Sequence, residues 1–326
     1  MKAASLAALL ATVAAPALAQ DRPALTVLTY DSFTAEWGPG PAIEAAFEEE
    51  CGCDLRFISG GDGAALLARL QLEGETTKAD VALGLDASLI QAARDTGLFA
   101  PHGQAPELDL PVEWSDDTFL PFDWGWFSVV GRAGGPMPRS FRELAASDAS
   151  LVIQDPRSST PGLGLVTWIE AAYGPEAPAI WEALADNIVT VTPGWTEAYN
   201  LFLEGEAELV LSYTTSPAYH LLAEEDAGFV ALPFEEGHYL QVEVAGKLAS
   251  TDVPELADRF LAFMLAEGFQ AAIPTGNWMY PAAMPEAGLP EGFESMRPGK
   301  TLYLPPEEAA ALREPAIERW RAALSR

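Results

Sequence analysis

At four places along the chain, small hydroxyl, glycine and proline residues stand at the start of a helical stretch. They are Asp62-Gly63, Ser159-Thr160-Pro161-Gly162, Thr192-Pro193-Gly194 before Trp195, and Ser216-Pro217-Ala218-Tyr219. A hydroxyl or carboxylate at the N-cap and proline at the first helical position are ordinary ways to begin a helix. Each such start also presents free N–H groups and a partial positive charge, which suits an anion such as phosphate. Singly these are caps. Repeated beside aromatic residues, they outline a surface for binding.

The aromatic residues follow the same turns. Tyr30 and Trp37 flank Asp-Ser-Phe, Trp195 sits in Pro-Gly-Trp, Tyr213 and Tyr219 flank Thr-Thr-Ser-Pro, and Trp278 and Tyr280 sit in Gly-Asn-Trp-Met-Tyr-Pro. Flat rings at element ends can stack on a planar ligand and attract a cation, each for roughly 0.5–2 kcal/mol. Trp124, Trp126, Trp168 and Trp181 lie inside regular patterns and read as core. Catalytic signatures are scarce. His102, His220 and His238 lack metal-ligand spacing, and the chain has no Gly-x-Ser-x-Gly, His-Glu-x-x-His or Gly-x-x-x-x-Gly-Lys. Acidic runs such as Glu48-Glu49-Glu50 and Glu224-Glu225-Asp226 read as solvated helix faces. The expectation is a binding site with no catalytic residues, no metal and no cofactor.

Alternating strands and helices must position these groups. Strand patterns at 25–30, 55–58 and 81–84 alternate with helical patterns at 41–50, 64–73 and 88–96. A proline-rich stretch from Pro101 to Pro121 breaks the rhythm before an aromatic strand at 122–132. A second series follows: strand 151–154, helices 162–173, 178–186 and 196–203, strands 208–213 and 240–248, then helices 254–266 and 306–324. Repeated β-α-β order predicts parallel sheets covered by helices. Two such units, joined by crossover strands near 122–132 and 239–248, predict an α/β protein of two lobes with a ligand cleft between them. The expected N-terminal lobe is 20–124 with 245–279, and the C-terminal lobe 125–244 with 280–326.

The 326 residues carry 18 basic and 48 acidic side chains, a net charge of −30. That argues against nucleic acid or anionic lipid as a partner and mildly favours a cationic ligand. Lys2, an apolar run from Ala3 to Ala15, and Ala17-Leu18-Ala19 read as a signal peptide over residues 1–19, sending the chain to the periplasm. In an oxidising compartment Cys51 and Cys53 most simply form a disulfide. Free thiols or a redox role remain open from the residues alone.

Longer strings then become recognisable. Leu25-Thr26-Val27-Leu28-Thr29-Tyr30-Asp31-Ser32-Phe33 and Trp37-Gly38-Pro39-Gly40-Pro41 resemble the start of the thiamine-binding periplasmic proteins of thiamine ABC importers. The resemblance continues through Gln154-Asp155-Pro156-Arg157, Ser159 to Gly164, Leu211 to His220, Glu236 to Val244 and Ile273 to Pro281, and includes Cys51-x-Cys53. It covers nearly the whole chain after the leader. It implies the type II periplasmic-binding-protein fold and, as ligands, thiamine or its mono- and diphosphate. A membrane permease is the implied partner, and the expected state is a monomer.

By position, Asp62 and Gly63 match the family's acidic contact, and Ser159 and Thr160 its phosphate-side helix cap. Trp195 matches its stacking residue and Tyr213, Thr214, Thr215 and Ser216 a second polar loop; Tyr30, Trp37, Tyr219 and Trp278 match further cleft aromatics. Gly61 departs from the pattern, where an acidic residue is commoner. The residues agree chemically. Aromatic planes suit an aminopyrimidine and a thiazolium, Asp62 can accept from the exocyclic amine, and capped helix starts suit a phosphate. On this reading Ser159→Ala harms the phosphorylated ligand more than thiamine. Rival readings are a thiaminase-I-like enzyme, which needs a reactive thiol, and a binder of ferric iron, sulfate or a polyamine.

Overall fold

The computed structural model describes residues 22–325, so the leader read at 1–19 lies outside the described residues. Strands β1 (Ala24–Thr29), β2 (Asp54–Ser59) and β3 (Val81–Asp86) pair in parallel, with β1 between the other two. Connections between parallel strands need crossovers. Helices Gly40–Cys51 and Gly63–Glu73 provide them. The first ends where Gly52, at φ 64°, donates its N–H to the Glu48 carbonyl.

Short β4 (Phe99–Ala100) precedes β5 (Phe119–Arg132), which begins inside the proline-rich stretch rather than after it. Nearly all of β5 is buried, as its continuous apolar and aromatic run requires of a strand covered on both faces. The second series contributes β6 (Leu151–Gln154), β7 (Ile188–Thr192), β8 (Leu209–Tyr213) and β9 (Phe229–Ala231). Strand β10 (His238–Leu248) and the short β11 (Tyr280–Pro281) and β12 (Thr301–Leu302) complete the twelve-stranded sheet. Its main path runs β2-β1-β3-β10-β5-β8-β6-β7. Edge strand β7, which the sequence reading did not place, is short, and its middle residues, Val189 and Val191 included, face solvent.

The two lobes meet along β5. From Phe119 to Trp126 it pairs antiparallel with β10; from Phe127 to Gly131 it pairs antiparallel with β8. Strand β10 fills the place between β3 and β5. Helices Thr160–Tyr173, Ala177–Leu184, Trp195–Glu204 and Ser216–Ala223 cover the second lobe. The long helix Pro306–Leu324 packs on Thr160–Tyr173, on Ala177–Leu184 and on the segment Ala87–Asp95, so it bridges both series. This is the expected two-lobed α/β architecture. Cys51 and Cys53 are joined in a disulfide, with Cys53 fully buried. Among the described residues no helix is long and apolar enough to cross a membrane.

Candidate functional site

A cavity of about 230 Å³ opens between the lobes. Four helix starts reach it: Gly63, Thr160 with Pro161, Trp195 with Thr196, and Ser216 all line its wall. Aromatic residues close the remaining sides. Trp37 and Trp195 lie 6.2 Å apart between ring centres, Trp195 stacks on Tyr199 at 4.8 Å, and Tyr219 meets Trp278 edge-on at 5.5 Å. Trp37 is half exposed, an open plane at the mouth. Trp278 holds φ at 57° just after a π-helical turn at Ile273–Asn277, and Asn277 also lines the wall. A left-handed tryptophan costs on the order of 1 kcal/mol, a conformation usually kept only where the surroundings fix it for a task.

The lobes are clasped at the rim. Asp62 Oδ2 accepts the Ser159 hydroxyl at 2.6 Å and the Trp195 N–H at 3.1 Å. Beside it the Gly63 N–H donates to Thr160 Oγ1 at 3.2 Å, and the Ala65 N–H donates to the Ser158 carbonyl at 3.0 Å. Gly63 is required by this closeness: a Cβ there would stand 2.5 Å from Thr160 Oγ1 and 2.6 Å from the Gly84 carbonyl. Burial pushes the Asp62 carboxyl up to about 6, against the pull of its two donors. The carboxylate thus sits at the positive end of helix Trp195–Glu204, where an incoming anion would also settle.

A chain of hydroxyls stiffens the opposite wall. Trp195 Nε1 donates to Ser212 Oγ at 2.8 Å, Ser212 and Ser216 share a hydrogen bond of 2.7 Å, and the Tyr213 N–H donates to Ser216 Oγ. Behind Tyr199, its hydroxyl meets His220 Nε2 at 2.9 Å, and His220 Nδ1 meets Glu224 at 2.6 Å.

Acids and amides build the floor. Tyr30 follows β1, and its hydroxyl donates to Glu243 Oε2 at 2.9 Å while accepting from Asn277 Nδ2 at 2.8 Å. Asn277 Nδ2 also reaches Asp123 Oδ2 at 2.5 Å, and Gln241 Nε2 donates to Glu243 Oε1 at 2.8 Å. Tyr30 lies against Gly84, whose φ of 101° and missing Cβ make the room; a Cβ there would be 2.2 Å from the ring. Burial raises Glu243 well above the usual carboxylate range and pushes Asp123 up to about 7. Burial also raises the Tyr30 and Tyr213 hydroxyls, so both stay protonated as donors.

Of the residues expected from sequence, Tyr30, Trp37, Asp62, Gly63, Thr160, Trp195, Tyr213, Ser216, Tyr219 and Trp278 line this cavity. Ser159 is buried behind it and touches it through Asp62. Thr214 and Thr215 lie off its wall: both are buried, and the Thr214 N–H donates to the Trp126 carbonyl on β5. The loop's first and last residues reach the cavity because the turn swings its middle into the sheet. Glu243, Asn277, Tyr199, Asn200, Ser32 and Met279 line the cavity without having been expected there. A charged residue within a buried strand, as in Val242-Glu243-Val244, is the signal that could have found Glu243. Among the described residues no group of three or more His, Cys, Asp or Glu is placed to hold a metal ion.

Comparison with known proteins places this geometry. Residues 39–274 match the model of a family described as bacterial extracellular solute-binding protein. A thiamine-binding periplasmic protein of Salmonella typhimurium is 52% identical over 325 residues, 98% of each chain. One of Escherichia coli is 53% identical over 312 residues, 94% of each. A solved structure titled periplasmic thiamin binding protein superposes with a TM-score of 0.90 at 52% identity, covering 94% of this chain and 97% of that one.

Proposed function

This chain belongs to the bacterial extracellular solute-binding proteins, and from that premise we propose that it captures thiamine or a thiamine phosphate between its lobes. In this reading it works in the periplasm, released from a leader at residues 1–19, and as a monomer hands its ligand to the permease of an ABC importer. It performs no reaction. Its relatives are named thiamine-binding and periplasmic, which supports both the ligand and the compartment.

The observation that carries the reading is the charge layout of the cavity. Its wall holds two carboxyls, Asp62 and Glu243, six tyrosine or tryptophan rings besides Tyr213, and no lysine, arginine or histidine. Such a wall favours a flat cationic heterocycle through π faces and acids. The converging helix starts favour a polar or anionic tail through their N–H groups. Thiamine joins both features in one molecule. The enzyme alternative needs a thiol nucleophile, whereas Cys51 and Cys53 are bonded to one another and neither lines the cavity.

Calorimetric titration with thiamine, with tryptophan fluorescence followed in parallel, tests the reading directly. We expect one site per chain, quenching of cavity tryptophans and a raised melting temperature. Titration with spermidine and with ferric citrate should give no comparable signal. Thiamine producing neither heat nor quenching while another solute binds would refute the assignment.

A further inference from the structure

Three acids on neighbouring strands stand in one row beneath the cavity. Glu243 on β10 pairs in register with Asp86 on β3 and with Asp123 on β5. Residues opposite one another in paired strands project to the same face, about 5 Å apart. Asp86 has its own donors in the Ser88 N–H and hydroxyl, which leave it a local turn cap. Glu243 and Asp123 are different. Both are more than nine-tenths buried, Glu243 faces the cavity, and Asp123 Oδ1 has no donor from any other side chain. The register sets these two carboxyls side by side in a buried site with no cation between them, where a proton on one of them relieves the repulsion.

We propose that Glu243 and Asp123 form the subsite for the ligand's positive ring, and that the pair gives up its shared proton when that ring arrives. The inference rests on the reading of the cavity as a thiamine site. Two carboxylates side by side in a dry site repel strongly, so in the empty cavity a proton stands between them. A cationic ring over the Tyr30 and Trp278 side of the floor supplies the missing positive charge from above. The proton then leaves to solvent: one cation in, one proton out, and the net charge of the buried site is unchanged.

Among the described residues, the groups that the contacts place around the pair carry no positive charge. From the turn after β1 comes Tyr30, from β3 Asp86, from β10 Gln241, from β8 Tyr213, and from the π-helical turn Asn277. The charged groups closest to Glu243 in the sheet, Asp123 and Asp86, are both acids. Tyr30, Gln241 and Asn277 donate to the pair and hold it in place, and they keep donating when it ionises. Glu243 therefore discriminates for charge, beyond the shape selection of the rings.

Calorimetry of thiamine binding at pH 8, above the value near 7 to which burial raises Asp123, in phosphate and in Tris, whose ionisation heats differ widely, counts the protons released. We expect close to one per thiamine in the wild type. Glu243→Gln, nearly isosteric, removes the pair: Asp123 ionises alone and remains a counter-ion. Thiamine then still binds, with no proton released. Adding Asp123→Asn removes the last charge and weakens thiamine at least about tenfold, as loss of a buried charge partner does. Melting curves of both variants check that they fold. Thiamine binding without proton release in the wild type, or an unchanged proton count in Glu243→Gln, overturns this inference and leaves the ligand assignment standing. Absence of any thiamine binding overturns both.

Discussion

Replacing Asp62 with asparagine separates two jobs that its carboxylate performs at once. In the structure one oxygen, Oδ2, draws the Ser159 hydroxyl and the Trp195 N–H together and clasps the lobes. An asparagine oxygen can still accept from both donors, but without the charge that roughly doubles the strength of each bond. The loss is about one charge-assisted hydrogen bond, 1.5–3 kcal/mol, or roughly 10- to 150-fold in the population of the closed form. When the closed form is the one that binds, apparent affinity for thiamine falls in proportion to that population. The same carboxylate occupies the positive helix end that a phosphate tail would seek. Two unit charges roughly 5 Å apart at an effective dielectric near 20 repel by about 3 kcal/mol. Removing the carboxylate therefore relieves the phosphate ester while it only harms thiamine. Titration of wild type and Asp62→Asn with thiamine and with thiamine monophosphate, at pH 8 where Asp62 is ionised, should show thiamine weakened by one to two decades. The monophosphate should change much less. Equal losses for both ligands, or none for thiamine, would refute the reasoning.

Ser159→Ala removes one clasp donor but leaves the Asp62 charge in place, so thiamine and its monophosphate should weaken by the same factor in paired titrations. That replaces the expectation from sequence of a phosphate-selective loss, because the hydroxyl is engaged by Asp62. Trp195→Ala removes a ring that stacks on Tyr199 and faces Trp37; a loss of about 0.5–2 kcal/mol, or 2- to 30-fold in thiamine affinity, should appear by fluorescence titration. Trp195→Phe should recover most of it. Asp62 and Asp86 near 6 and Asp123 near 7 are all raised by burial, so the folded protein holds protons that the unfolded chain releases. Their contribution favours folding at low pH and is lost as pH rises through those values. The ligand-free melting temperature, followed by calorimetry, should therefore fall between pH 5 and pH 8, and a steady rise across that window would contradict the assignment.

What the sequence disclosed of the site was what a local pattern can encode. Helix starts at Gly63, Thr160, Trp195 and Ser216 announce themselves through caps and prolines, and Tyr30, Trp37 and Trp278 through their place at element ends. The floor was hidden. Asp123 and Glu243 are far apart in the chain, and only the register of β5 on β10 sets them side by side. Asn277 depends on a π-helical turn that no periodicity predicts. The Thr214–Thr215 pair shows the converse error: it belongs to the right turn, but the direction of its side chains is decided by how the turn docks on Trp126. The fold was clearer than its edges, since β7 and the short strands lack the long apolar runs that made β5 and β10 conspicuous.

The interposition of β10 between β3 and β5 governs the order in which the molecule can be assembled. A nascent chain that has emerged only through β5 has both neighbours of the missing strand and nothing to join them. Its β3 edge stays open until residue 248 is available, and the helix ending at Leu324 must still come down across both halves. The first half is thus not an early folding unit. Long-range pairing of this kind is slow and leaves strands exposed meanwhile. The first half therefore completes its sheet only after most of the chain has been made.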